Sequence, residues 1–148
     1  MKIAIGSDHA GFSLKELLRL TFADQEFVDF GTYSEASCDY PDVALKVAHA
    51  VRDCEADLGV LVCGTGVGMA IAANKVQGIR AAACSETYTA KLTRDHNDAN
   101  VLCIGSRVVG PGVAEEILRA FLDTPFCGDE RHARRLRKIS AIEEQDLG

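Results

Sequence analysis

Leu58-Gly59-Val60-Leu61-Val62-Cys63-Gly64-Thr65-Gly66-Val67-Gly68, followed at once by Met69-Ala70-Ile71-Ala72-Ala73-Asn74-Lys75, decides the fold. The apolar run Val60-Leu61-Val62 shows no polar alternation, the pattern of a strand covered on both faces in a parallel sheet. The glycines end that strand, and Met69 to Lys75 is compatible with a helix. A glycine loop between such a strand and a helix presents backbone N–H groups at the positive end of the helix dipole, which makes an anion site. Cys63 stands at the lip of this loop, where the same potential favours a thiolate. A strand-end cysteine is also a common small core residue, so the stretch alone leaves both uses open. The spacing is not a dinucleotide fingerprint with its following acid, and no Gly-Lys-Ser/Thr closes it as a P-loop. Both negatives point away from NAD and ATP and towards a smaller anionic ligand.

The rest of the chain repeats the strand-then-helix rhythm. Lys2 to Gly6 reads as a strand, Ser7 to Gly11 as a turn, and Phe12 to Phe22 as a helix with Phe12, Leu14, Leu17, Leu18 and Phe22 on one face. Phe27 to Phe30 predicts a second strand, and Gly31 opens a polar loop to Pro41. Helical period returns from Asp42 to Cys54 through Val43, Ala44, Val47, Ala48 and Val51. After the glycine loop, Ile79 to Cys84 and Val101 to Gly105 read as strands, with Thr87 to Arg94 helical between them. Pro111 suits a helix first turn before Val113 to Leu122, and Arg131 to Glu144 predicts a terminal helix. Alternation of this kind gives an α/β fold: a Rossmann-like three-layer sandwich with a five-stranded parallel sheet and a C-terminal helix. There is no repeat, low-complexity tract or linker, so residues 1–148 are expected to form a single domain.

Composition bounds the function. A chain of 148 residues with 47% hydrophobic content can bury a proper core. No apolar run approaches membrane-spanning length and the first residues are strand-like, so no membrane role and a cytoplasmic location are expected. Cys38, Cys54, Cys63, Cys84, Cys103 and Cys127 are scattered, without CxxC or Cys/His metal spacing; Cys84 and Cys103 fall in strand positions that suit the core. A net charge of -6 gives no support to nucleic-acid binding.

Ligands of such sheets bind beyond the carboxyl ends of the strands. That rule gathers Asp8-His9 after the first strand, Cys63 and its loop after the third, and Gly105-Ser106-Arg107 after the fifth. His96-Asn97 precedes the fifth strand, so its place on that rim is less secure. Each residue has a plainer use: Asp8 as a turn former, His9 as a surface histidine, Tyr40 as a partly buried aromatic, Arg107 as a solvated charge.

Taken together, Ser7-Asp8-His9-Ala10-Gly11 with Leu14-Lys15, Asp39-Tyr40-Pro41, Cys63-Gly64-Thr65-Gly66-Val67-Gly68, Ala72-Ala73-Asn74-Lys75, His96-Asn97 and Gly105-Ser106-Arg107 occur in one order. The set resembles type B ribose-5-phosphate isomerase, in the family that also contains galactose-6-phosphate isomerase. The resemblance spans nearly the whole chain. It implies reversible conversion of ribose 5-phosphate to ribulose 5-phosphate through an enediolate, with no metal and no organic cofactor. It further implies Cys63 as catalytic base, His96 as the ring-opening acid/base, and Thr65 exchanging a proton or hydrogen bond with a substrate oxygen. Backbone groups of Gly64, Thr65, Gly66, Val67 and Gly68 would face the enediolate, and Asp8, Tyr40 and Asn97 would bind hydroxyls, with His9 close to the phosphate.

For the phosphate, Arg107 is one candidate cation. Arg131 and Arg135 stand four apart on the tail and would share a helix face able to grip one phosphate. In the family such arginines reach the neighbouring subunit's site, which implies a homodimer, or a dimer of dimers, with 131–148 contacting the partner. The plainer alternative is a tail helix packed through Leu136, Ile139 and Ile142 with its arginines in solvent. Two departures stand out. Met69 occupies the position where one branch of the family carries a glutamate base, leaving the task to Cys63. The tail reads Gly128-Asp129-Glu130-Arg131-His132, longer and more acidic than the usual Gly-Gly-Arg-His. Rival readings are an isomerase for allose 6-phosphate or galactose 6-phosphate and a non-catalytic sugar-phosphate sensor on the same fold. Cys63 and His96 occurring together favour an enzyme.

Overall fold

A computed structural model describes residues 1–145. Strands β1 (Lys2–Ser7), β2 (Glu26–Asp29), β3 (Leu58–Cys63), β4 (Ala81–Ala83) and β5 (Val101–Gly105) form one sheet in the order β2-β1-β3-β5-β4. Every pairing is parallel. Helices α1 (Phe12–Thr21), α2 (Tyr40–Arg52), α3 (Val67–Ala73), α4 (Thr87–Asp95) and α5 (Pro111–Asp123) alternate with the strands, and α6 (Glu130–Gln145) follows.

Side-chain alternation along β3 explains the layers. Leu58, Val60 and Val62 pack with Leu14 and Leu18 of α1 and Ile117, Leu118 and Phe121 of α5. Leu61 and Cys63 point the other way, into a layer with Val43, Val47 and Val51 of α2 and Met69 and Ala73 of α3. All six β3 residues are buried, which is why the strand reads as continuously apolar rather than alternating. Cys103 lies wholly inside the sheet and Cys84 just past β4 is 4% exposed. Burial pushes the Cys84 thiol up to about 11 and raises that of Cys103 well above the usual thiol range, so both are inert core residues, as their strand positions imply.

Several boundaries differ from the sequence reading, each for a local reason. The fourth strand shrinks from Ile79–Cys84 to Ala81–Ala83. Ile79 closes a turn onto the Val76 carbonyl, and the side chain of Asn74 both accepts from Ala81 N–H (2.7 Å) and donates to its carbonyl (2.8 Å). The second helix starts at Tyr40 rather than Asp42, because Pro41 fits its first turn. The third starts at Val67 rather than Met69, immediately after Gly66 turns the chain at φ 79°.

One buried charge fixes the rim above β1 and β2. Lys15 of α1 is 0% exposed. Its Nζ donates to both Asp29 carboxylate oxygens at 2.8 and 2.7 Å and to the Thr32 carbonyl at 2.9 Å. Asp29 also accepts from Arg19 (2.8 Å) and from Gly31 N–H (2.9 Å). Every donor of the ammonium is thereby used, as a buried charge requires. The anchored loop then pairs with the end of β1 through Ser7 N–H to Gly31 and Thr32 N–H to Ser7, both 2.7 Å.

Candidate active site

The topological switch lies at β1, from which the chain departs to β2 on one side and β3 on the other. The loops leaving β1 and β3 lie at the carboxyl edge there, where sheets of this kind bind their ligands. At β1, Asp8 N–H donates to the Val62 carbonyl (3.1 Å), and Asp8 Oδ1 accepts from Gly11 N–H (3.0 Å), closing the turn before α1. Asp8 is therefore a turn former, with its second oxygen left over. His9 Nδ1 accepts from Cys38 N–H (3.3 Å), which places the imidazole proton on Nε2.

At β3 the loop curls over its own cysteine. Gly66 N–H donates to Cys63 Sγ at 3.1 Å. The turn that aims this amide needs φ 79° at Gly66, and a Cβ there would sit 3.2 Å from Ile104 backbone. Cys63 is consequently under the loop rather than at its lip, and the residue is 5% exposed. Thr65 and Val67 are exposed on the outer side of the curl, and Thr65 Oγ1 accepts weakly from Val67 N–H (3.4 Å). The α3 helix has only seven residues, so the nearby loop amides, more than a long macrodipole, complement negative charge here.

Neighbouring elements close on the same loop. Ser106 N–H donates to the Cys63 carbonyl (2.8 Å) and Arg107 N–H to the Gly64 carbonyl (3.0 Å). Ser106 Oγ donates to Ala10 O (2.7 Å), tying the β5 and β1 turns together. The Arg107 guanidinium lies alongside Gly64, 3.5 Å from where a Cβ would be. The Tyr40 ring covers Gly68 so closely that a Cβ there would approach it to 2.8 Å. Asp8, His9, Tyr40, Cys63, the Gly64–Gly68 loop and Arg107 thus belong to one rim, as the sequence reading expects.

His96 and Asn97 do not join them. α4 returns the chain to the amino end of the sheet, and His96 caps it there, its N–H donating to Leu92 O (2.9 Å). Arg80 holds the next turn, its Nε donating to the Asn97 carbonyl (3.1 Å) and the Asp98 carbonyl (2.9 Å). β5 enters at Val101, while Cys63 pairs with Gly105 at the far end. Four strand steps, about 13 Å, separate the two levels. His96 and Cys63 therefore stand at opposite ends of one chain's sheet.

A second cluster forms around His96. Its ring stacks on His132 of α6, centroids 4.2 Å apart and planes 10° from parallel, and its Nε2 is 3.5 Å from Asp95. His132 is 5% exposed. Burial, reinforced by His96, Arg131 and Arg135, holds its imidazole below the usual value. Arg131 and Arg135 are exposed beside it, with no ion-pair partner among the described residues. Further along α6, Glu143 accepts from Gly78 N–H (3.1 Å), while Ile139 is 42% and Ile142 59% exposed, so the stripe is only partly covered among the described residues. The proposed 131–148 tail is described only to residue 145.

Sequence reasoning overlooked two features of these clusters. Lys15 was noticed only within a motif, since nothing local announces a lysine buried against a strand 14 residues on. Cys127, Asp129 and His132 each offer a ligand atom within 4.8 Å of the others, although their spacing is not a Cys/His metal pattern.

A family model described as Ribose/Galactose Isomerase matches residues 3–139. The chain is 51% identical over 146 residues to ribose-5-phosphate isomerase B of Escherichia coli, covering 97% of each. It is 43% identical over 150 residues to D-erythrulose-4-phosphate isomerase of Pectobacterium atrosepticum, covering 99% of this chain and 97% of that one. Its structure superposes on Clostridium thermocellum ribose-5-phosphate isomerase B with a TM-score of 0.95 and 51% identity, covering 98% of this chain and 99% of the other. A five-stranded parallel sheet, a glycine loop curled over a strand-end cysteine and a family match across nearly the whole sequence make this chain a member of the ribose/galactose isomerase family.

Proposed function

We propose that the chain interconverts ribose 5-phosphate and ribulose 5-phosphate, with Cys63 as the base, in a site completed by a second copy. The observation that carries this is the Gly66 N–H aimed at Cys63 Sγ at 3.1 Å. A donated backbone amide supports a sulfur anion, the form that can take a proton. In the aldose-to-ketose direction the thiolate removes the C2 proton of the opened sugar, electrons move onto O1, and the same proton returns to C1. O1 gains a proton and O2 loses one, a relay within reach of the Thr65 hydroxyl. Preorganised loop donors facing the enediolate oxygen are worth about 3–4 kcal/mol each in comparable sites.

Geometry supports sharing between subunits. His96 precedes the end of β5 that lies about 13 Å from the level of Cys63, and Arg131 and Arg135 flank His132, which stacks on His96. Ring opening and phosphate binding therefore fall to His96, Arg131 and Arg135 of the partner subunit. Asp8, His9, Tyr40 and Arg107 keep the substrate-binding roles that the family resemblance gives them, and Asn97, next to His96 in the chain, takes its role in the site of the other copy. Exposed Val67 (52%) and Ile71 (58%), one turn apart on α3 beside the site, and exposed Ile139 and Ile142 on α6 provide apolar faces for a homodimer. Among the described residues no helix is long and apolar enough to cross a membrane, in keeping with a proposed cytoplasmic location.

A different sugar phosphate is the second reading, supported by the similarity to the Pectobacterium erythrulose-phosphate enzyme. The deciding experiment compares initial rates on ribose 5-phosphate, erythrulose 4-phosphate and allose 6-phosphate after exhaustive chelation. Fastest turnover of ribose 5-phosphate, abolished in Cys63→Ala, is expected. Full activity of Cys63→Ala, or loss of activity with the metal, would overturn the mechanism.

A further inference from the structure

We propose that Cys127, Asp129 and His132 form a binding site for a borderline-soft divalent cation of the zinc class. Their ligand atoms lie within 4.8 Å of one another. His132 is 5% exposed, and its Nε2 is buried with no hydrogen-bond partner among the described residues. A buried imidazole with an unpaired nitrogen, on a residue whose ring offers a ligand atom close to a thiol and a carboxylate, is an unmet need for a ligand.

The backbone already holds the three in place. Cys127 N–H donates to the Asp95 carbonyl at 3.1 Å, fastening the segment to the end of α4. Gly128 then turns the chain with φ 73°. The Asp129 carbonyl accepts from both His132 N–H and Ala133 N–H at 2.9 Å, starting α6. Tetrahedral zinc with bonds of roughly 2.0–2.3 Å needs donors about 3.3–3.8 Å apart. Cys127 and Asp129 are exposed, so theirs are the side chains free to rotate towards that spacing on binding.

The donor set selects the ion class. One sulfur, one nitrogen and one carboxylate suit zinc or cobalt and disfavour magnesium and calcium, which take oxygen. Cys127 releases its proton to solvent on binding, and the resulting thiolate and carboxylate together balance the double positive charge despite Arg131 and Arg135 nearby. Three protein ligands leave a fourth position for water. Because His132 stacks on His96, the bound ion fixes that ring and the first turn of α6. Occupancy therefore slows isomerisation, a consequence that rests on the role proposed for His96; the binding itself does not.

The test titrates chelator-stripped protein with Zn2+ by calorimetry and with Co2+ by absorption. One ion per chain is expected, with a thiolate-to-cobalt charge-transfer band. Cys127→Ala should remove the band and weaken binding about tenfold or more, with Asp129→Asn also weaker; thermal melts check that these exposed positions leave the fold intact. Absence of stoichiometric binding, or a band that persists in Cys127→Ala, overturns the site. Zn2+ should also slow the wild-type enzyme and spare Cys127→Ala. Stoichiometric binding without inhibition upholds the site and overturns its regulatory effect.

Discussion

Mixing two inactive variants should regenerate an active enzyme. Cys63→Ala removes the proposed base and His96→Ala the proposed ring-opening group, and either variant on its own is expected to be nearly inert. Four strand steps separate Gly105, beside Cys63, from Val101, which His96 precedes, or about 13 Å at 3.3 Å per step. No side-chain rotation spans that distance. In a two-fold dimer with crossed sites, the mixed species carries one site with both lesions and one with neither. Random assembly from equal amounts makes about half the dimers mixed, so about one quarter of all sites should be intact. The assay is coexpression with two different tags, sequential affinity capture of the mixed dimer, and continuous measurement of ribulose 5-phosphate. Purified mixed dimer should show about half the wild-type turnover number per dimer, with an unchanged KM. If Cys63 and His96 served the same site within one chain, every site would carry a lesion. Turnover at the background of the parents would therefore refute crossed sites.

Three further outcomes test other parts of the structure. Gly66→Ala should destabilise the protein by about 1–2 kcal/mol through its left-handed φ in urea unfolding, and should lower kcat further because the amide on Cys63 Sγ moves; an unchanged kcat would count against that hydrogen bond. Lys15→Met should cost about 3 kcal/mol, the low end for breaking a buried pair because Arg19 stays on Asp29; a cost below about 1 kcal/mol by denaturant titration would deny the anchoring role. His132 is held below the usual imidazole value in the folded chain. Below about pH 6.5 the unfolded chain therefore binds a proton that the folded chain refuses, and stability falls until His132 itself protonates. Melting temperatures should drop over this acid range in the wild type and drop less in His132→Gln; parallel profiles would contradict the shift.

The sheet, its flanking helices and the gathering of Asp8, Cys63 and Arg107 were legible because they follow from strictly local patterns plus one topological rule. Continuous apolarity marks β3, glycines mark its loop, and the carboxyl ends of parallel strands define the crevice. The same rule, applied to His96, places it at the amino end, since a helix between parallel strands must carry the chain back. Motif order alone conceals this, because it is blind to which end of the sheet a residue occupies. Lys15 was hidden for another reason: its partner Asp29 lies on a different element, and an amphipathic helix reads the same whether its lysine is solvated or buried. The Cys127, Asp129 and His132 grouping depends on the positive φ at Gly128 and the docking of that turn on Asp95, neither of which has a periodic signature.

The distance between the two ends of β5 also bears on how such a protein can be silenced. With the proposed crossed sites, a correctly folded monomer carries half a reaction centre at each pole and no way to join them. Dilution below the dimer's dissociation constant should abolish turnover reversibly, with a lag on reconcentration. A compound seated on the apolar Val67 and Ile71 face would stop the chemistry without resembling a sugar, and accumulating substrate would not displace it directly.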